Sequence, residues 1–134
     1  MIVDSSAMVA IAKGEPLAAR LSRLLMDEGS ASISAATYVE LGIVLDHRAT
    51  PEEMRQVDSM LKAYGIEIVP LTPSQATIAR AAYRDFGKGS GHPAHLNMGD
   101  CFSYALATEM DEPLLFVGDD FIYTDVTPAW RPAA

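Results

Sequence analysis

Short apolar runs alternate with helix-patterned segments along the whole chain, and this alternation constrains the fold more than any other feature. The runs with the length and residue types of β-strands are 1–3, 31–34, 66–70 and 114–117, with a shorter fifth strand expected near 125–127. Helical patterns are expected at 7–13, 17–28, 37–47, 51–64, 75–86 and 99–110. Strands separated by helices need crossover connections. The sequence therefore predicts an α/β fold with a mostly parallel central sheet of four to five strands and helices on both faces.

Length and charge narrow the possibilities further. The 134 residues suit a single domain spanning 1–134, and 49% hydrophobic residues can bury a core. Ten Lys and Arg against eighteen Asp and Glu give a net charge of −8, so contact with nucleic acid has to be local. The one cysteine and the lack of an apolar run of membrane-spanning length predict a soluble, cytoplasmic protein without contact to a membrane.

Acidic residues fall where a parallel sheet binds its ligands, just beyond the carboxyl ends of the strands. Asp4 follows the first strand directly, and Asp119 and Asp120 follow the last long strand. Asp100 stands at the start of the helix that leads into that strand. Glu40 interrupts an apolar helical run, where a lone buried carboxylate is costly unless a cation shares it. These positions predict an acidic cluster at one edge of the sheet.

Closely spaced carboxylates repel each other, and a divalent cation with oxygen ligands removes that repulsion. Mg²⁺ fits best, with Mn²⁺ as the other possibility. Zinc is disfavoured, because His47, His92 and His95 are scattered and Cys101 is expected to be a small buried helix residue.

Each acidic residue taken alone has a simpler interpretation. Asp4 suits a helix cap, Glu40 a partly exposed helix position, and the pair Asp119 and Asp120 a turn. Asp100 suits a favourable charge at a helix N-terminus. Only their combined placement on one edge of the predicted sheet favours a metal site.

Two specific motifs occur together in the second half of the chain, Leu-Asn-Met-Gly-Asp-Cys-Phe at 96–102 and Gly-Asp-Asp-Phe at 118–121. With them, the segments 1–7, 33–40, 65–70, 83–89, 92–107 and 114–121 follow one another in a characteristic order. Through these segments the chain resembles, nearly end to end, PIN-domain ribonucleases and more closely the VapC toxins of bacterial toxin–antitoxin pairs.

The resemblance implies a PIN-like fold with a site built from these residues. Asp4 and Asp100 are expected to bind the metal directly, while Glu40 and one late aspartate complete the catalytic set. Asp120, which stands directly before Phe121, is preferred over Asp119. Ser6 and Asn97 are expected to donate or accept hydrogen bonds near the metal.

The implied reaction is metal-dependent hydrolysis of an RNA phosphodiester, leaving a 5′-phosphate and a 3′-hydroxyl. Arg80, Arg84 and Lys88, four residues apart, offer a basic approach along a helix face, although a solvated face has the same pattern. The loop at 89–92 replaces a more basic stretch of many relatives. A homodimer and a small VapB-type antitoxin, whose C-terminal segment covers the acidic edge, are also implied.

Two other functions compete with this one. A haloacid-dehalogenase-type phosphatase also places Asp after its first strand, but it requires a second Asp where this chain has Ser6. A catalytically silent PIN-like module would bind RNA or protein without turnover. The RNA target and the number of metal ions are not encoded in any pattern of this sequence.

Overall fold

A sheet of four parallel strands forms the centre of the structure, a computed structural model that describes residues 1–46 and 50–131. The strands are β1 (Ile2–Val3), β2 (Ala31–Ser34), β3 (Ile66–Val69) and β4 (Leu114–Leu115). Their order is β3-β2-β1-β4, and Ile2 pairs with Ser32 on one side and with Leu114 on the other. The predicted α/β fold is confirmed, with β1 in the interior of the sheet.

The prediction of a fifth strand near 125–127 is wrong. The segment around 125–127 forms only an isolated bridge, in which Leu114 N donates to Thr127 O and Ala129 N donates to Leu114 O. Pro128 has no N–H, so it cannot extend a ladder. The strand expected at 114–117 is also shorter, because Val117 N donates to the Ser6 hydroxyl instead of to a neighbouring strand.

In the part of the chain that the structure describes, six helices surround the sheet. Their positions agree with the sequence patterns to within one or two residues at most ends. They are α1 (Ser5–Ala12), α2 (Ala18–Glu28), α3 (Ala35–Asp46), α4 (Pro51–Ala63), α5 (Pro73–Phe86) and α6 (Met98–Met110). A 3₁₀ turn, Asp120–Tyr123, follows β4. The expected last residue of the third helix, His47, lies outside the described residues. Thr50 and Asn97 begin α4 and α6 with reciprocal capping boxes.

Two apolar clusters lie on opposite faces of the sheet, because successive strand residues point to opposite sides. Val3, Ile33 and Leu115 pack with residues from α1 to α4, whereas Ile2 and Leu114 pack with α5 and α6. Helices therefore cover both faces, as predicted. Cys101 is 2% exposed in the second cluster, which confirms it as a buried helix residue. Within the described residues, no helix is both long and apolar enough to cross a lipid bilayer.

Candidate active site

Asp4 stands where the interior strand β1 ends and α1 begins. It is 1% exposed, and both carboxylate oxygens are hydrogen-bonded. Oδ2 accepts from the Ser6 amide at 3.0 Å and the Ser6 hydroxyl at 2.7 Å, and Oδ1 accepts from the Ser103 hydroxyl at 2.5 Å. Asp4 is thus the cap of α1 that the simpler interpretation predicts. Three donors on a buried carboxylate also hold it in one orientation.

Ser6 connects Asp4 to the end of β4. Its hydroxyl donates to Asp4 Oδ2 and accepts from Val117 N at 3.0 Å. Ser6 is expected near the metal ligands, and the structure brings it into direct contact with Asp4, one of the two residues expected to bind the metal. This contact joins the ends of two neighbouring strands at the same edge.

Asp100 and Asn97 form the capping box that begins α6. The Asn97 side chain accepts from Asp100 N at 2.8 Å, and Asn97 N donates to Asp100 Oδ2 at 3.0 Å. Burial raises the pKa of Asp100 to about 7, the hydrogen bond from Asn97 N opposes this, and the nearby charges of Asp4, Asp120 and Glu40 add to the rise. The four acidic side chains therefore lie close enough to repel one another.

Glu40 reaches this edge from α3. Its Oε1 accepts from the Ser5 hydroxyl at 2.9 Å. Burial raises the pKa of Glu40, the hydrogen bond from Ser5 partly offsets this, and the charge of Asp4 raises it further. The carboxylate lies against Gly99, where any side chain would overlap it. The first turn of α6 can approach Glu40 this closely because residue 99 is glycine.

The two late aspartates differ in their surroundings, although both are exposed. Asp120 opens the 3₁₀ turn and is one of the charges that raise the pKa of Asp100. Asp119 lines a cleft together with Val117, Gly118 and other residues. The geometry therefore favours Asp120 as the fourth member of the set, which we call the acidic cluster (Asp4, Glu40, Asp100 and Asp120).

The acidic cluster suits a hard divalent cation in its chemistry. Its donors are all carboxylate oxygens, the ligands that Mg²⁺ and Mn²⁺ prefer. Within residues 1–46 and 50–131, Oε2 of Glu40 and Oδ1 of Asp100 accept no hydrogen bond, so they are available to a cation. In the same ranges, no group of three or more Asp, Glu, His or Cys side chains is positioned to hold a metal ion. Mutual repulsion keeps carboxylates apart until a cation is shared.

Four residues that contact the acidic cluster or its hydrogen-bonding partners were not predicted from the sequence. Ser5 and Gly99 contact Glu40, and Ser103 contacts Asp4. Thr37, fully buried, lies with its hydroxyl 3.2 Å from that of Ser103. Ser103 could have been predicted to lie near the site, because it follows Asp100 by three residues and residues with this spacing share a helix face. Nothing local in the sequence marks Thr37 or Ser5.

The expected basic stripe is only partly a helix face. Arg80 and Arg84 are exposed on α5, and the Arg84 guanidinium donates to the neighbouring Asp85 at 3.0 Å. Lys88 is not on this helix, which is a correction. The helix ends at Phe86, and Lys88 N donates to Leu96 O in the loop that follows.

The chain is similar to known proteins in sequence and in fold. A PIN domain family model matches residues 1–126. VapC ribonuclease Mb2780c of Mycobacterium bovis is 51% identical over 129 residues, covering 96% of this chain and 98% of that protein. Ribonuclease VapC28 of Mycobacterium tuberculosis is 49% identical with 96% and 97% coverage. The crystal structure of Mycobacterium tuberculosis VapC20, a sarcin-ricin loop cleaving toxin, superposes with a TM-score of 0.75 at 16% identity and covers 98% of both chains, a likeness of fold.

Gly99→Ala is expected to displace the Glu40 carboxylate without unfolding the protein. The added methyl group overlaps the end of a flexible side chain, which can rotate away. Mn²⁺ affinity, measured by calorimetry, should fall about 10-fold or more if Glu40 supports the cation. Gly42→Ala on α3 is the matched control, because no atom lies within 4 Å of its added carbon. Equal affinities of the two variants would contradict the role of Gly99.

The raised pKa of Asp100 predicts a pH-dependent stability of the metal-free protein. A carboxyl group with a higher pKa in the folded state stabilises the fold below its ordinary value of 3.8, and this contribution is lost as pH rises toward 7. After allowance for solvent screening, the free energy of unfolding should fall by roughly 1–2 kcal/mol over this pH range. Urea unfolding in EDTA at pH 5 and pH 7.5 should show it, and Asp100→Asn should reduce it. An identical pH dependence in both proteins would contradict the assignment.

Proposed function

The chain belongs to the PIN-domain family, among its VapC ribonucleases, and we propose that it hydrolyses RNA phosphodiester bonds at the acidic cluster with Mg²⁺ bound. The observation that carries this proposal is the convergence of four carboxyl groups from different parts of the chain. Burial raises the pKa of Asp100 to about 7, and the charges of Asp4, Asp120 and Glu40 contribute to the rise. Structural ion pairs do not account for such a group of like charges, whereas a shared divalent cation does.

Asp4 and Asp100 would hold the ion directly, with Glu40 and Asp120 completing its surroundings. When bound, Mg²⁺ or Mn²⁺ offsets negative charge on the phosphoryl group and lowers the pKa of water. The protein side chains orient this arrangement. Ser6 and Ser103 hold the Asp4 carboxylate, and Asn97 holds that of Asp100.

Metal binding at the acidic cluster is expected to be coupled to the protonation of Asp100. With the cation absent, the raised pKa of Asp100, about 7, allows its carboxyl group to take up a proton near neutral pH. A cation bound there favours the ionised form, so binding releases a proton. Membership of the PIN family decides against the haloacid-dehalogenase-type phosphatase. A catalytically silent module is distinguished by the experiment below.

Asp4→Asn and Asp100→Asn should each lower RNA cleavage by more than about 100-fold, since even residues that only support metal ligands change activity about 10- to 100-fold. Cleavage of total RNA is measured with Mg²⁺, with Mn²⁺ and with EDTA, followed by mapping of the cut ends. Asp120→Asn should lose more activity than Asp119→Asn. Asp27→Asn, an exposed position on α2, is the control. Metal-independent RNA binding without cleavage by the wild type would establish the silent module instead.

Arg80, Arg84 and Lys88 are proposed to guide the RNA backbone toward the acidic cluster. All three are exposed, and Arg80 and Arg84 are separated by about one helical turn. Arg84 forms a salt bridge with Asp85, so we expect it to contribute least to RNA binding.

Changing Arg80, Arg84 and Lys88 together to Ala should weaken RNA binding and reduce its salt dependence. Each lost phosphate contact lowers the slope of log K against log salt by about 0.7 for single strands, so the total change is at most about 2. Fluorescence anisotropy of labelled RNA at several salt concentrations measures the slope. Arg55→Ala with Lys62→Ala on α4 serves as the control. An unchanged slope in the triple variant would leave these residues as a solvated surface.

VapC toxins act with VapB antitoxins, and we propose that a cognate VapB-type antitoxin inhibits this chain by placing a basic side chain in the acidic cluster. An arginine would relieve the same repulsion that a metal relieves, through bidentate hydrogen bonds to carboxylates. A homodimer is proposed as the state that binds the antitoxin.

Inhibition by this antitoxin should compete with metal. Titrating Mg²⁺ into the purified complex should partly restore cleavage, and replacing the antitoxin's C-terminal arginines by Ala should abolish inhibition. Sedimentation of the chain alone tests the dimer. Inhibition that is indifferent to both Mg²⁺ and those arginines would contradict the mechanism.

A further inference from the structure

Two clefts outside the acidic cluster meet at Trp130. The first lies along the beginning of α2, where Arg20 and Arg23 line it. The second leads along the segment that follows β4, where Val117 and Asp119 line it. Leu17 and Trp130 line both clefts, so the two form one continuous surface. We call it the Trp130 cleft.

The wall of the Trp130 cleft includes two residues that neighbour the acidic cluster. Val117, on its wall, donates its backbone N–H to the hydroxyl of Ser6, which donates to Asp4. Asp119, on the same wall, directly precedes Asp120. A polymer lying in the cleft therefore passes beside the acidic cluster without leaving the protein surface.

Trp130 is held in place but not covered. Ala129 N donates to Leu114 O at 2.8 Å, which fixes the segment against β4. The Trp130 ring packs partly against the apolar cluster and remains half-buried, and the Arg20 guanidinium lies over the ring, 5.8 Å from its centre. An indole ring and a guanidinium that contact each other in this way are both planar groups on which a nucleobase can stack.

The cations of this cleft are available to phosphates. Arg20 and Arg23, three residues apart, share a face of α2, and Arg131 lines the second part of the cleft. Within residues 1–46 and 50–131, none of these three arginines forms a salt bridge with a carboxylate, in contrast to Arg84. In a protein of net charge −8, three unpaired arginines beside one aromatic ring form a local site of the opposite sign.

We propose that the Trp130 cleft binds single-stranded RNA next to the site of cleavage, with a base stacked on Trp130 and phosphates on Arg20, Arg23 and Arg131. The proposal rests on the proposed ribonuclease function, for which it names a substrate-binding surface. Stacking favours unpaired bases, because paired bases in a helix do not expose their faces. The cleft thus selects for single-stranded segments or loops.

Intrinsic fluorescence tests the proposal directly, since Trp130 is the one tryptophan of the chain. The Asp100→Asn protein, which we expect not to cleave, is titrated with an unstructured 12-nucleotide RNA in Mg²⁺. We expect saturable quenching of the emission. An RNA of the same length without bases keeps the phosphate charge but removes stacking, and should leave the emission nearly unchanged.

Three other results would overturn the proposal. The first is a tryptophan emission that does not respond to saturating RNA. The second is an emission that responds to the antitoxin's C-terminal peptide but not to RNA, and the third is an emission that changes with protein concentration in the absence of RNA. The second result assigns the cleft to the antitoxin, and the third assigns it to a second copy of the chain.

Variants separate stacking from charge. Trp130→Ala should weaken RNA binding about fivefold or more, and Trp130→Phe should retain most of the affinity. Arg20→Ala with Arg23→Ala should lower the salt slope by about 1.4, whereas Arg55→Ala with Lys62→Ala should not. Equal affinities for Trp130→Ala and wild type would contradict the stacking.

The two proposals can also be distinguished from each other. Quenching of the Trp130 emission by RNA, without RNA cleavage by the wild type, would support the RNA-binding cleft and contradict the proposed ribonuclease function. Normal RNA cleavage without quenching would support the ribonuclease function and contradict the cleft.

Discussion

A carboxylate excluded from water at the end of an interior strand has to be satisfied by hydrogen bonds, and Asp4 obtains them from Ser6 and Ser103. These bonds organise more than one side chain. Ser6 also accepts from Val117 N, which ties the end of β4 to the end of β1. Ser103 brings α6 to the same point, and with it Asp100. The geometry of the acidic cluster thus depends on how one buried charge is accommodated.

The same arrangement accounts for the electrostatic behaviour of the protein. Burial of Asp100 disfavours its ionisation, and the nearby charges of Asp4, Asp120 and Glu40 disfavour it further. Under the proposed function, a cation would relieve the repulsion, either as Mg²⁺ or as a guanidinium from an inhibitor. An acidic protein that acts on RNA therefore needs separate basic surfaces to attract the polyanion. Arginines near Trp130 would supply one of them.

Much of this organisation could be predicted from the sequence, because strand and helix periodicities and their order determine a parallel sheet, and acidic residues after strands meet at its edge. The rest depends on contacts that local patterns do not record. Val117 leaves the sheet to bond with Ser6, and Lys88 falls beyond the end of a helix whose spacing it shares. Glycine at 99 has no periodic signal, and its importance emerges only where α6 meets Glu40.

The central claim is that four carboxyl groups converge on one cation site, and the ionisation of Asp100 tests it most directly. A carbon-13 NMR titration of the Asp100 carboxyl group, without metal, should give a pKa of about 7. Saturating Mg²⁺ should lower that pKa by more than one unit, since the bound ion favours the ionised form. A pKa near the ordinary value of 3.8, unchanged by Mg²⁺, would contradict both the convergence of the carboxyl groups and their role in holding a metal.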